Sequence, residues 1–188
     1  LRDGVRGGGP FDPPTAQGFA TGLHTDPNGT NQGSPSDQKN LLLLETDWIR
    51  LGLAANLASY TLVDRYGNTV NGTQIDYKGQ PAGYTADPQE VINYVEAHDN
   101  ETLFDAMHLK LPIVLNMAQR VRAQNLALSI VTLAQGVPFY HAGTDMLRSK
   151  SLDRNSYNSG DWFNRLDFTY MTNNWGVGLP PAGDNQSN

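Results

Sequence analysis

The sequence predicts an α/β fold built on parallel strands, and three observations carry that expectation. Residues 37–60 and 116–135 repeat apolar side chains at three- and four-residue intervals, the period of a helix with one buried face. Short runs of strand formers, residues 91–95 and 137–140, lie beyond each of them. Each run gives way to small polar and ionisable residues: His98-Asp99-Asn100 after the first and His141-Ala142-Gly143-Thr144-Asp145 after the second. Helix, strand, helix, strand, with polar residues after every strand, is the repeating unit of a parallel sheet or barrel. Two strands cannot cover two apolar helices, so the pattern asks for further elements.

Residues 1–36 are loop, because Gly7-Gly8-Gly9-Pro10 and Asp12-Pro13-Pro14 break any regular element. A loop of that length is expected to be functional or packed on something else. Asp37 is the expected N-cap of the first helix, which runs to about Tyr60 with Leu41, Leu44, Trp48, Leu51, Ala55 and Ala58 on its apolar face. Trp48 and Leu51 are expected in the core. Residues 64–88 return to loop, with Tyr66-Gly67-Asn68 and Val70-Asn71-Gly72 as hairpin-like turns. Residues 91–105 organise the chain: a strand, then His98-Asp99-Asn100, then a helix start at residues 101–105. Pro112 interrupts, and the second long helix follows from about Asn116 to Gln135. Met117, Val121, Gln124, Leu128, Val131 and Leu133 mark its expected buried side, and Gly136 its C-cap. Leu1-Arg2-Asp3 reads as the middle of a longer chain and residues 183–188 as an unclosed polar tail, so a portion of a domain is expected.

Composition narrows the function classes. The 188 residues carry a net charge of −6, which disfavours nucleic acid as a partner. There is no cysteine, hence no disulfide framework and no thiolate chemistry. No apolar run approaches a membrane span; residues 41–44 are far too short. Nothing in the sequence calls for a cofactor.

The polar clusters suggest chemistry. A strand that ends in His98-Asp99-Asn100 and turns into a helix can present catalytic groups from a rigid base, or can simply cap the helix with Asp or Asn. Residues 148–175 mix Tyr157, Trp162 and Phe163 with Arg148, Lys150, Asp153, Arg154, Asn155, Asn158, Asp161, Asn164, Arg165 and Asp167. Aromatic rings cover the apolar face of a pyranose and planar polar groups bond its hydroxyls, so this is a sugar-binding composition; a loop held by its own hydrogen bonds has the same residues. His98, Asp99 and His141 are metal-binding types, yet no short His-x-His or His-x-x-x-His spacing joins them. His24 and His108 read as surface or satisfied histidines. Asn100-Glu101-Thr102 is a glycosylation sequon at what would be a catalytic mouth.

Several of these stretches carry a family likeness. Residues 94–105, Tyr-Val-Glu-Ala-His-Asp-Asn-Glu-Thr-Leu-Phe-Asp, resemble the seventh-strand signature of pullulanase and limit-dextrinase type starch-debranching enzymes of the α-amylase superfamily. Residues 136–143, Gly-Val-Pro-Phe-Tyr-His-Ala-Gly, resemble their eighth strand, residues 148–164 the long loop after it, and residues 173–181 its continuation in plant-type limit dextrinases. Residues 1–11 resemble the segment after the sixth strand. The resemblance implies that residues 1–188 are the C-terminal portion of a (β/α)8 catalytic barrel, from sixth helix to eighth strand and following loop. It implies cleavage of α-1,6 branch links in pullulan, limit dextrin, amylopectin or glycogen with retention, the nucleophile and general acid lying upstream. It assigns Asp99 as transition-state stabiliser and His98 and Arg154 as sugar contacts, with Asn100, Asp153, Tyr157 and Asp145 on the substrate side. Where many members read Gly-Asp-Glu after the eighth strand, this chain has Gly143-Thr144-Asp145, and the usual acidic partner of Arg154 falls near Ser187. An α-1,4-acting amylase relative and a carbohydrate-binding segment without chemistry are the alternatives.

Overall fold

The computed structural model describes residues 1–9 and 11–185. Helix α1 (Arg2–Arg6) is one buried turn, and α2 (Pro35–Leu53) lies against it. The cap of α2 is Ser34, three residues earlier than expected: its hydroxyl accepts the Asp37 N–H, and Asp37 Oδ2 accepts the Ser34 N–H at 3.0 Å. Asp37 thus completes a capping box, and Pro35 occupies the first turn where no donor is needed. The helix stops at Leu53 and does not reach Tyr60. Ala55 and Asn56 take left-handed φ of 57° and 53°, and the Asn56 amide donates to the Ala82 carbonyl at 2.9 Å.

A small second core covers one side of α2. Strands β1 (Thr61–Val63) and β2 (Thr69–Asn71) pair antiparallel with Leu62 opposite Val70, and β3 (Asp76–Tyr77) pairs with β4 (Gln80–Pro81). Residues 66–68 do form the first turn, where Asp64 accepts the N–H groups of Tyr66 and Asn68. Residues 70–72 do not form a second; Asn71 ends β2 and caps a 3-10 turn. Trp48 and Leu51 are buried with Leu62, Ile75 and Ala82, as their helical spacing predicts.

The parallel unit is present. Strand β5 (Ile92–Asn93) pairs parallel with β6 (Val137–Pro138), and the crossover between them contains α3 (Leu103–Lys110) and α4 (Met117–Leu133). Both strands are shorter than their apolar runs. Thr102 caps α3 by accepting the Asp105 N–H at 3.2 Å, so neither Asp99 nor Asn100 is the cap. Asn116 and Gln119 make a capping box on α4. The main core joins Val5, Ile49, Val95, Leu103, Met107, Ala127 and Val131.

The buried side of α4 differs from its expected one. Gln124 and Val131 are buried as expected, but Met117 and Leu133 face outward, Leu133 being 74% exposed, and Arg120 sits inside. Arg120 satisfies the carbonyls of Met107, Pro112 and Leu115 at the irregular joint between α3 and α4. Gln124 donates to the Thr144 carbonyl at 2.9 Å. Gly136 is not the cap, which is Ala134; its φ of 100° and an approach to Pro88 O that would put a Cβ at 2.9 Å make glycine necessary there. The described residues therefore hold mixed helices and three two-stranded pairs, of which one is parallel.

Charges are buried between α1, α2 and α3. Asp3 accepts from Arg2, the Tyr77 hydroxyl and Lys78. Desolvation pushes the Glu45 carboxyl up to about 9, aided by Asp3, and its Oε2 has no hydrogen-bond partner among the described residues. Desolvation pulls Lys110, whose ammonium donates to the Ala16 carbonyl at 2.7 Å, down to about 7.

Two expectations follow. Folded, Glu45 keeps its proton until pH about 9; unfolded, it loses it at about 4.3. Its contribution is full below the lower value and is lost as pH rises. Lys110 works in the opposite sense, between about 7 and about 10.4, so of these two only Glu45 acts from pH 5 to 7. In a folded protein carrying this chain, Glu45→Gln is expected to raise stability at pH 7 by about 2–3 kcal/mol more than at pH 5, about 1.4 kcal/mol for each pH unit over which Glu45 must take up a proton on folding. Denaturant unfolding at both pH values reads it; equal effects at both would show that burial does not hold the proton. Second, Ile113 is 93% exposed and β5 and β6 each leave one edge unpaired among the described residues, so residues 1–188 expressed alone are expected to aggregate. A cooperative melt from a soluble monomer is the contrary result.

Candidate functional site

Because β5 and β6 run parallel, the loops leaving their C-terminal ends emerge on one side. Glu96 ties them: its Oε2 accepts the Leu103 N–H at 2.7 Å and lies 3.5 Å from His141 Nδ1. Period-two alternation would put Glu96 and His98 on the same face, but β5 ends at Asn93 and the rule lapses. Glu96 is buried, whereas the side chains of His98 and Asp99 are 83% and 78% exposed and stand 3.2 Å apart, Nδ1 to Oδ1. Asn100 follows in a left-handed conformation with φ 61°.

The next residue organises the rim. Glu101 is buried and receives two guanidinium groups, Arg6 Nη2 on Oε2 at 3.1 Å and Arg154 Nε on Oε1 at 3.0 Å. Desolvation lowers the Arg6 pKa and Glu101 opposes it. Arg154 also approaches Asn100 Oδ1 at 3.5 Å, and its N–H donates to Asn185 Oδ1 at 2.8 Å. A cleft of about 550 Å³ opens here, with Arg2, Arg6, Tyr94, Asp99, Asn100 and Arg154 in its walls. Carboxylate, amide and guanidinium groups converging on one open cleft can bond the hydroxyls of a polar, uncharged ligand.

Of the residues singled out from sequence, Asp99, Asn100 and Arg154 are brought together in this cleft, with His98 beside Asp99 on the rim. Asp153 is fully buried in its own loop, where its carboxylate accepts from Asn155 N–H, Ser159 Oγ and Asn185 Nδ2. Tyr157, 81% exposed, and Asp145, in the 3-10 turn after β6, lie outside the cleft walls. Ser187 lies outside the described residues; the carboxylate that meets Arg154 among them is Glu101. His98, Asp99 and His141 do not converge: Arg148 Nη1 sits 3.1 Å from His141 Nε2, and no group of three metal-ligating side chains forms among the described residues. His108 is satisfied by the Phe104 carbonyl and packs on Trp175, its ring centroid 4.7 Å away. No described helix is long and apolar enough to cross a membrane.

Sequence reasoning missed Arg2, Arg6 and Glu101. Arg6 and Glu101 are 95 positions apart, and no local pattern links them. The spacing of Arg2 and Arg6 in a glycine-rich opening was the available signal.

The parallel pair, its helical crossover and the polar rim define an α/β segment. Comparison with known proteins then gives the family. No family model matches the chain. Over 189 residues it is 51% identical to "Pullulanase 1, chloroplastic" of Arabidopsis thaliana, and over 192 residues it is 46% identical to the pullulanase of Klebsiella pneumoniae. Each match covers 100% of this chain but only 20% and 17% of those proteins. The crystal structure of apo pullulanase from Klebsiella pneumoniae superposes on the whole chain with a TM-score of 0.93 at 44% identity, over 20% of its own length. The chain belongs to the pullulanase family, and it spans about a fifth of the length of these relatives.

In the longer protein, Glu101→Ala is expected to cost about 3–5 kcal/mol of stability, because it leaves Arg6 buried without its carboxylate. Chemical denaturation measures it, and a loss below about 1 kcal/mol, the range of exposed pairs, would show that water reaches the bridge.

Proposed function

We propose that residues 1–188 form the C-terminal portion of the (β/α)8 catalytic barrel of an enzyme that hydrolyses α-1,6 branch links in pullulan, limit dextrins, amylopectin or glycogen. The observation that carries this reading is the likeness over the whole chain to pullulanases, one of them solved in complex with maltotriose. The exposed Asp99 above a cleft with three arginines and Asn100 agrees with it.

On this reading the reaction retains configuration. A carboxylate attacks the anomeric carbon while a carboxylic acid about 5 Å away protonates the leaving O6; water then hydrolyses the glycosyl-enzyme. Both groups come from parts of the longer protein outside this chain. The chain supplies the third acid. Positive charge develops on the sugar in the transition state, and the Asp99 carboxylate, accepting from ring hydroxyls, stabilises it most at that point. His98, Asn100 and Arg154 bond neighbouring hydroxyls, the last held in place by Glu101. Tyr157 offers an exposed ring to a further sugar and Asp145 an exposed carboxylate, while Asp153 acts through the loop it holds.

A carbohydrate-binding role without chemistry is the second reading, and one observation favours it. The carboxylates flanking Asp99 in sequence, Glu96 and Glu101, are committed to the Leu103 N–H and to two arginines, so neither is free to replace a missing nucleophile or acid.

The test is Asp99→Asn in the longer protein. The amide keeps the shape and loses the charge, so turnover on pullulan is expected to fall on the order of a hundredfold or more while the melting temperature holds. Near-normal turnover would remove Asp99 from the mechanism.

A further inference from the structure

Lys150 is an unusual interior residue: lysine is almost never fully buried, yet it is 2% exposed in the loop after β6. Its Nζ donates to the backbone carbonyl of His98 at 3.1 Å. No carboxylate pairs with it directly among the described residues. Desolvation lowers its pKa, with Asp153, Asp105 and Glu101 opposing and Arg148 reinforcing the shift. A buried ammonium is costly, and an ordinary carbonyl could be satisfied by a neutral donor.

The backbone on either side shows what this arrangement achieves. Asp105 Oδ2 accepts the Lys150 N–H at 2.8 Å and Asp105 Oδ1 accepts the Ser149 hydroxyl at 2.6 Å, so the stem of the lysine starts from a fixed point. The carbonyl at its tip belongs to the residue immediately before Asp99. That turn projects His98 and Asp99 into solvent, where the two side chains meet each other. The turn is therefore held through its main chain, and Lys150 supplies the bond that spans from the β6 loop to it.

We propose that Lys150 is a positioning residue: its buried ammonium, hydrogen-bonded to the His98 carbonyl, fixes the turn that presents Asp99 to the substrate. The inference rests on the reading of Asp99 given under the proposed function. Lysine suits the task because its long unbranched stem crosses the gap between two loops and its charge strengthens the bond to a neutral carbonyl. Arg154 and Glu101 secure the other side of the cleft independently. Loss of Lys150 should therefore disturb the chemical step more than substrate capture.

The experiment compares the longer protein with its Lys150→Met variant by pullulan kinetics and by crystal structure. A displacement of about 1 Å in a catalytic group costs on the order of a hundredfold in rate, so kcat is expected to fall at least tenfold with KM changed less than about threefold. The crystal structure is expected to show residues 98–100 shifted or in several conformations with α3 unmoved. An unmoved turn overturns the proposal whatever the kinetics, and so does a moved turn with unchanged kcat in an active enzyme. A moved turn in a protein whose parent does not cleave pullulan would instead sink the functional reading and leave the structural role of Lys150 standing. If the methionine protein does not fold, Lys150→Gln, which keeps a donor on a shorter stem, is read by the same two measurements.

Discussion

The carboxylate of Asp105 fastens the loop after β6 to the crossover before it. It is fully buried near the start of α3, and desolvation pushes its pKa up while its donors pull the other way. Those donors are the Ser149 hydroxyl, the Lys150 N–H and, at 3.3 Å, the Leu152 N–H. Such a nest of donors is needed here. Ser151 and Leu152 both sit at left-handed φ, 51° and 70°, a conformation that costs of order 1 kcal/mol or more per non-glycine residue. The strained bend persists because Asp105 over-determines it, and the bend sends Lys150 toward His98 and the following chain toward Glu101. Without that anchor neither contact has a fixed origin.

The rim thus has two layers with opposite demands. Groups that meet a ligand must be open, as His98, Asp99 and Tyr157 are. An exposed side chain is held weakly, so its precision must come from beneath. Glu96, Glu101, Asp105 and Lys150 form that lower layer, every one buried and every one bonded to main chain or to an arginine. A buried carboxylate is poor evidence of stability for its own sake, since desolvation offsets much of the attraction. Its value here is geometric: each fixes the direction of a neighbouring loop.

This division explains what could be read from the sequence. The helices were legible from apolar periodicity, and the parallel order from their alternation with strand formers. The exposed motif at residues 98–100 was legible because its members are contiguous. The errors came where polar residues took core positions. On α4, Arg120 occupies the inner stripe because the joint at Pro112 leaves carbonyls that need donors, while Met117 and Leu133 lie at the surface. The supporting layer was illegible for a simpler reason. Apart from the Glu96 bond to the Leu103 N–H, its bonds span 44 to 95 positions, and nothing in local spacing pairs Ser149 with Asp105 or Arg6 with Glu101.

The charge around the cleft follows from the same architecture. The chain as a whole is acidic, with a net charge of −6, yet Arg2, Arg6 and Arg154 gather at one opening beside Asp99 and Asp184. A cleft meant for a phosphate or a nucleic acid would leave its arginines uncompensated. Here Glu101 pairs with both Arg6 and Arg154 and Asp3 pairs with Arg2, so every arginine of the cleft has a carboxylate beside it. Balanced donors and acceptors at fixed positions suit a neutral, hydroxyl-rich ligand, for which directed hydrogen bonds matter more than net attraction. The electrostatics of the site are therefore of the kind that the proposed ligand class requires.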